Sequence, residues 1–229
     1  VQVKKVAPRP VRPAVKTAAP APLPRPPAAE PRLAVPFNGN SLFGPELKAN
    51  YLTKFNIQSC IETGTYKGSS TLWFSQNLPE VHTIENNGEL FNENKARFAG
   101  KNNIRPHLGN SPQVLAAILR NWDPTRRAIF YLDAHWNDYW PLNDELLAIS
   151  KSSARDNCLI LIDDFQVPGR PDIPFDSYKS QPLNLQFVAK NLRLALPDLH
   201  YEYYAPPPAH AKSRGRLIAF PKSWLNPPV

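Results

Sequence analysis

Two segments constrain the fold more than any other feature, "RAIFYLD" (127–133) and "NCLILIDDF" (157–165). Each is a nearly unbroken apolar run that ends in acid. A strand with one solvated face alternates apolar and polar residues. A run without alternation, rich in Ile, Leu and Phe, belongs to a strand covered on both faces, as in a parallel sheet between helical layers. The segments around them fit that arrangement. "IQSCIE" (57–62) and "VHTIE" (81–85) read as earlier strands, and "IRPHL" (104–108) as a short one. Helical patterns lie between them over Ser69–Asn77, over 88–98, through Val114, Leu115, Ile118, Leu119 and Trp122, and over "PLNDELLAIS" (141–150), which enters through a proline. Leu185, Val188, Leu192 and Leu196 mark a late helix, and "HYEYYA" and "GRLIAF" close the chain as two successive strands. Strands alternating with helices predict a doubly wound α/β sheet, and the closing pair predicts an antiparallel strand at one edge.

The first 36 residues differ from the rest. They contain 10 of the 27 prolines and no aromatic residue. Seven basic side chains stand there against Glu30 alone, so this arm carries +6 of the net +8 and residues 37–229 only +2. A segment of that composition cannot offset its ordering entropy by burial, so 1–36 is expected to be a disordered, polyproline-like linker tethering the domain at 37–229 to another domain or protein. The near-neutral domain argues against a nucleic-acid partner. The chain begins with Val and has no Met, from which a longer parent protein is expected. No stretch approaches the ~18 consecutive apolar residues of a membrane span. Cys60 and Cys158 both fall at expected strand starts and read as buried free thiols, which points to a reducing, cytoplasmic compartment.

In a sheet of this kind ligands bind beyond the carboxyl ends of the strands. "ETGTYKGSST" (62–71) occupies that position after the first strand. Gly64 and Gly68 allow a tight turn and close approach of a ligand, and Ser69 or Ser70 can cap the next helix. The order Lys67-Gly68-Ser69 is not that of a phosphate-binding P-loop, and the glycines lack the G-x-G-x-x-G spacing of a dinucleotide site. Glu62 would repel a pyrophosphate and suits a ligand with a positive group, as S-adenosylmethionine has in its amino and sulfonium centres. Glu85, 23 residues on at the end of the second strand, can accept from two ribose hydroxyls.

With these residues the chain resembles the class I S-adenosylmethionine-dependent methyltransferases. "IETGTYKGSST" is similar to their first motif, "HTIE" to the second strand with its ribose-binding acid, and "HLGNSPQVL" to the segment that lines the adenine. The resemblance covers roughly residues 45–221 and implies a seven-stranded Rossmann-like sheet. It implies that Glu62, Thr63, Gly64, Thr65, Gly68, Ser69, Glu85, Asn110 and Ser111 surround the cofactor. Asn110 stands where many relatives carry Asp.

A second constellation closes the fourth and fifth strands, "YLDAHW" (131–136) and "LIDDF" (161–165), which the resemblance implies are neighbours with ends about 5 Å apart. Three carboxylates at one place need a cation or a proton to relieve their repulsion. Hard oxygen donors favour Mg²⁺. The arrangement resembles the metal-dependent O-methyltransferases of sugar and natural-product pathways. That resemblance implies Asp133, Asp163 and Asp164 as metal ligands and a small hydroxyl-bearing acceptor. His135 and Asp133 are the catalytic candidates, with His135 either a base, a metal ligand or bonded to backbone. Trp136, Tyr139 and Trp140 either line an acceptor pocket or pack over a helix. The proline-rich 166–182 is expected to be an acceptor-binding lid, with Arg170, Asp172, Asp176 and Tyr178 as candidates. Two alternatives remain at this level: a binding or scaffold domain without turnover, and a nicotinamide-dependent oxidoreductase.

Overall fold

In a computed structural model, residues 35–37, 39–136, 139–207 and 213–226 are described. The arm expected at 1–36 lies, up to residue 34, outside the described residues. The first helix among the described residues is the short α1 (Phe43–Leu47), which runs into a π-helical turn, Lys48–Thr53. Then follow β1 (Ser59–Thr63), α2 (Ser69–Asn77), β2 (Glu80–Glu85), α3 (Gly88–Arg97), β3 (Ile104–Leu108), α4 (Ser111–Leu119), β4 (Ala128–Leu132), α5 (Leu142–Ser150) and β5 (Cys158–Ile162). A small ribbon, β6 (Ser177–Tyr178) and β7 (Gln181–Pro182), precedes α6 (Leu185–Ala195), β8 (Leu199–Tyr204) and β9 (Arg216–Pro221).

Seven strands form one sheet in the order β3-β2-β1-β4-β5-β9-β8. The first five pair in parallel; β9 is antiparallel to both β5 and β8. The mostly parallel sheet with a reversed strand near one edge is therefore present, with the reversed strand inserted one place in from the border. Strand order turns back between β1 and β4, and a crevice opens there at the carboxyl ends.

The apolar runs behave as their lack of alternation requires. Every residue of β1, β4 and β5 is buried. Along β4 and β5, Ile129, Tyr131, Leu159 and Leu161 face a core that includes Phe43, Leu47 and Phe74. Their neighbours Phe130, Leu132, Ile160 and Ile162 face a second core with Leu115, Leu146, Val188 and Leu192. One sheet thus separates two helical layers, with side chains alternating between them. The border strand β3 is largely uncovered and holds Pro106, a residue tolerated where one ladder edge lacks a partner. Cys60 and Cys158 are buried and free. Among the described residues no helix is long and apolar enough to cross a membrane.

Candidate active site

The crevice at the strand-order reversal is a cavity of about 890 Å³. Its floor is set by the loops after β1 and β4. Gly64 has φ of 84°, and a Cβ there would lie 3.0 Å from the Asp133 carbonyl oxygen and 3.1 Å from Ala134 backbone. Only glycine lets these two loops meet. Gly68 also has positive φ, 71°, but a Cβ on it would meet the Phe98 ring and Asn94 of the α3 side. Gly64 therefore lines the cleft, whereas Gly68 seats α2 against its neighbour.

Glu85 stands on the wall, its carboxylate shared between two loops. One oxygen accepts from the Tyr66 N–H at 2.9 Å, the other from the Asn87 N–H at 2.8 Å. Each oxygen keeps a further lone pair for a ligand. Glu62 corrects the expectation of a cleft-facing acid. It is fully buried and turns beneath the loop, accepting from the hydroxyls of Thr71 and, at 2.6 Å, Thr83. Burial pushes its carboxyl pKa up, the hydroxyl hydrogen bonds oppose that, and nearby Glu85 adds to the rise. Its role here is to clamp β1, α2 and β2 under the glycine turn.

Others of the expected set also sit behind the wall. Thr65 pairs with Thr83 at 2.6 Å between hydroxyl oxygens, and Thr63 is buried at the end of β1. Ser69 begins α2. Asn110 is the N-cap residue of α4 but makes no side-chain cap bond, and its Oδ1 is buried without a partner. Ser111 lines the cleft and donates its hydroxyl hydrogen to Glu145 of α5. Of the expected set Gly64, Glu85 and Ser111 line the cleft, and alternation along strand and turn decides which members do.

The acidic edge lies at the other end of the same cleft. One carboxylate oxygen each from Asp133, Asp163 and Asp164 lies within 4.8 Å of the others, and so do a ring nitrogen of His135 and one oxygen each of Asp164 and Asp176. Two arginines that sequence reasoning missed compensate this charge. Arg216 and Asp163 have wholly buried side chains. Arg216 Nη2 donates to Asp163 Oδ2 at 3.2 Å, and Nε lies 2.9 Å from Oδ1 without hydrogen-bond alignment. Asp163 also accepts from the Tyr131 hydroxyl and the Asp164 N–H. Arg216 lies 4.3 Å over the Phe43 ring and donates to the Phe37 carbonyl at 3.0 Å. Arg214 donates to Asp164 Oδ2 at 2.9 Å and pairs with Asp176.

Asp163 thus turns inward onto Arg216, while one of its oxygens stays within 4.8 Å of ligand oxygens of Asp133 and Asp164. Asp133, Asp164, Asp176, His135 and Arg214 line the cleft. Burial, then Asp163 and Asp164, hold the Asp133 carboxyl well above the usual carboxylate range. Asp164 is pushed up to about 8, first by burial and then by Asp163, against the pull of Arg214. Four carboxylates stand against two guanidiniums, and burial favours protonation of Asp133 and Asp164, so a divalent cation would take the place of those protons. The hard oxygen donors of Asp133 and Asp164 fit such a cation.

His135 is 60% exposed, with Nε2 3.9 Å from Asp176 Oδ2. Trp136 lines the cleft and also a side cavity of about 370 Å³ with Trp140 and Tyr178. Trp136 contacts Tyr139 at 5.3 Å between ring centroids, and Trp140 stacks on Phe187 of α6 at 5.1 Å. Trp136 thus lines the cleft and Trp140 packs over α6. The segment 166–182 folds back over the acidic edge, with the Asp176 N–H bonded to the Asp164 carbonyl at 2.9 Å. Arg170 and Asp172 pair with each other in solvent, away from the cleft wall.

No protein-family model and no curated protein sequence matches this chain. Solved structures do. An O-methyltransferase from Bacillus cereus in complex with S-adenosylhomocysteine superposes with TM-score 0.57 at 18% identity, covering 79% of this chain and 80% of the other. TomG from Streptomyces achromogenes, an O-methyltransferase of tomaymycin synthesis in complex with S-adenosylmethionine, gives 0.55 at 18%, covering 83% and 82%. A methyltransferase of Podospora anserina bound to S-adenosylhomocysteine gives 0.52 at 13%, covering 79% and 78%. The fold is that of the class I methyltransferases. At these identities the likeness concerns architecture.

A signal for the missed arginines was present. "SRGRLIAF" puts Arg216 at the head of a strand whose every residue is buried. A buried guanidinium requires a carboxylate, and the antiparallel partner strand β5 leads directly into Asp163.

Proposed function

We propose that this chain is an S-adenosylmethionine-dependent methyltransferase that transfers a methyl group to a hydroxyl of a small, sugar-like or natural-product acceptor, assisted by a divalent cation such as Mg²⁺. One observation carries the reading. A single cleft at the strand-order reversal joins the Gly64 turn and Glu85 at one end to Asp133, His135 and Asp164 at the other. The three solved structures named above were each obtained with S-adenosylmethionine or S-adenosylhomocysteine, which supports the same ligand here.

In this reading Gly64 admits the cofactor close to the backbone, Glu85 accepts from the ribose hydroxyls, and Ser111 meets the base. Asp133 and Asp164 hold the cation, and Asp163 keeps the β5 end in place through Arg216. When bound, the cofactor supplies an electrophilic methyl group and the cation supplies Lewis acidity that lowers the pKa of a hydroxyl. His135, exposed beside Asp176, takes the acceptor's proton. Trp136 and the adjoining side cavity receive the acceptor, with 166–182 covering it. The remaining work is positioning, since transfer needs the oxygen in line with the methyl. Residues 37–229 form the catalytic unit and the Pro/Ala-rich arm its tether. The two buried free thiols support a cytoplasmic setting.

A metal-free version of the reaction is favoured by one observation, that Arg214 and Arg216 already contact Asp164 and Asp163. Calorimetric titration of the full chain with S-adenosylhomocysteine, with and without Mg²⁺, separates the two. Micromolar binding that falls at least tenfold in Glu85→Ala supports the cofactor site. Heat of Mg²⁺ binding that disappears in Asp164→Asn supports the cation. No binding of S-adenosylhomocysteine, with binding of NADH instead, overturns the methyltransferase reading.

A further inference from the structure

A serine hydroxyl has one hydrogen to give and two lone pairs with which to accept. Ser111, on the cleft wall at the start of α4, gives its hydrogen to Glu145 Oε1 in a short hydrogen bond. Glu145 is fully buried on α5, a helix packed against α4, so water does not compete for that carboxylate. Its second oxygen is buried beside the Thr63 hydroxyl, which bears on the carboxylate as a donor. The charged neighbour that bears on Glu145 is Asp144, of the same sign. While Glu145 is ionised nothing in this arrangement asks Ser111 to turn its hydrogen elsewhere; burial raises that carboxyl to about 7, so the affinities below are read at pH 8 or above. Toward the cleft, Ser111 Oγ offers lone pairs only.

We propose that Glu145 is a positioning residue that fixes the hydrogen-bonding sense of Ser111, making this wall selective for a base whose edge donates a hydrogen bond. The 6-amino edge of adenine is such a donor. The 6-oxo edge of hypoxanthine is an acceptor and would set two lone pairs against each other. The inference rests on the cofactor reading above and adds to it the residue that sets base selectivity. Discrimination of this kind is strong because a mismatched polar pair, once buried, has no solvent to turn to.

The test compares calorimetric affinities of the full chain for S-adenosylhomocysteine and its deaminated analogue, S-inosylhomocysteine. The wild type should prefer the adenine form by at least about tenfold, roughly 1.4 kcal/mol. In Glu145→Leu the hydroxyl is released to donate, and the preference should drop by fivefold or more while S-adenosylhomocysteine still binds. Glu145→Gln, which keeps a carbonyl acceptor, should stay closer to wild type. A structural role alone would weaken both ligands equally and leave their ratio unchanged, and that result overturns the proposal. If Glu145→Leu does not fold, Ser111→Ala decides, because removing the acceptor must collapse the preference. An unchanged ratio in Ser111→Ala overturns the proposal as well. Failure of the wild type to bind S-adenosylhomocysteine at all would instead remove the cofactor reading itself.

Discussion

The two ends of the cleft manage buried charge in different ways. At the glycine-loop end, Glu85 accepts from backbone N–H groups and Glu62 Oε2 from hydroxyls, with Glu62 Oε1 buried and unpartnered, and all these partners lie within about two dozen residues in sequence. At the acidic end, Asp163 and Asp164 are satisfied by Arg216 and Arg214, some fifty residues away and across an antiparallel strand pair. Neutral dipoles can hold one carboxylate at a time. A cluster of four needs opposite charge, and opposite charge inside a sheet must come from another strand. The contrast implies that the first end tolerates loss of single partners, while the second fails when either member of an ion pair is removed.

The largest effect should follow from breaking that second arrangement. Arg216→Met leaves Asp163 buried without its cation and should lower unfolding stability by about 3–5 kcal/mol in a urea melt. Adding Asp163→Asn should restore a good part of it. If Arg216→Met alone costs under ~1 kcal/mol, the proposed dependence of the acidic end on distant charge is wrong.

Glu145 tests the first end, where a buried acid has only a hydroxyl for a partner. Burial, partly offset by Ser111 and Thr63, raises its pKa to about 7 from the ordinary 4.5. A carboxyl whose pKa is higher in the folded than in the unfolded state binds extra proton on folding. Its contribution is therefore least unfavourable below pH ~4.5 and is lost progressively up to pH ~7, above which the full penalty remains. Glu145→Gln should remove that slope, becoming more stable than wild type at pH 8 by on the order of 3 kcal/mol relative to the difference at pH 4.5. Parallel pH profiles for the two proteins would show that the carboxyl titrates normally.

Gly64→Ala should cost about 2 kcal/mol, since φ of 84° and a 3.0 Å approach to the Asp133 carbonyl both oppose a Cβ. The same change should weaken S-adenosylhomocysteine more than it weakens the fold, whereas Gly68→Ala should do the reverse. Equal effects at both positions would erase the distinction between cleft glycine and packing glycine. The smallest effect is expected at Arg214, whose side chain is 35% exposed. Arg214→Ala should change stability by no more than about 1 kcal/mol, because solvent screens a pair at that depth. Its measurable consequence should be tighter Mg²⁺ binding, as Asp164 loses a competing cation.

Much of this molecule could be read from residue order. The unbroken runs in β4 and β5 required a two-sided burial, and the two-sided burial required a parallel sheet between helices. The reversal of strand order then placed "ETGTYKGSST", Glu85 and Ser111 at one crevice with Asp133. These inferences depend on local periodicity and on general rules of topology, which a linear sequence carries. The direction of each polar side chain did not follow. Glu62 reads as a ligand-facing acid, yet one step of alternation turns it under the loop toward Thr71 and Thr83. Asp163 and Asp164 read as equivalent, yet one turns inward onto Arg216 and the other faces the cleft beside Arg214. Glu145, in a helix chosen for its apolar stripe, gains its link to Ser111 only when α5 packs against α4. Sequence determined the strands, their order of appearance and the loops that meet at the cleft. Which acids are spent on stability and which remain for chemistry was decided by contacts between residues far apart in the chain, because a buried charge takes whatever partner the packing brings within reach.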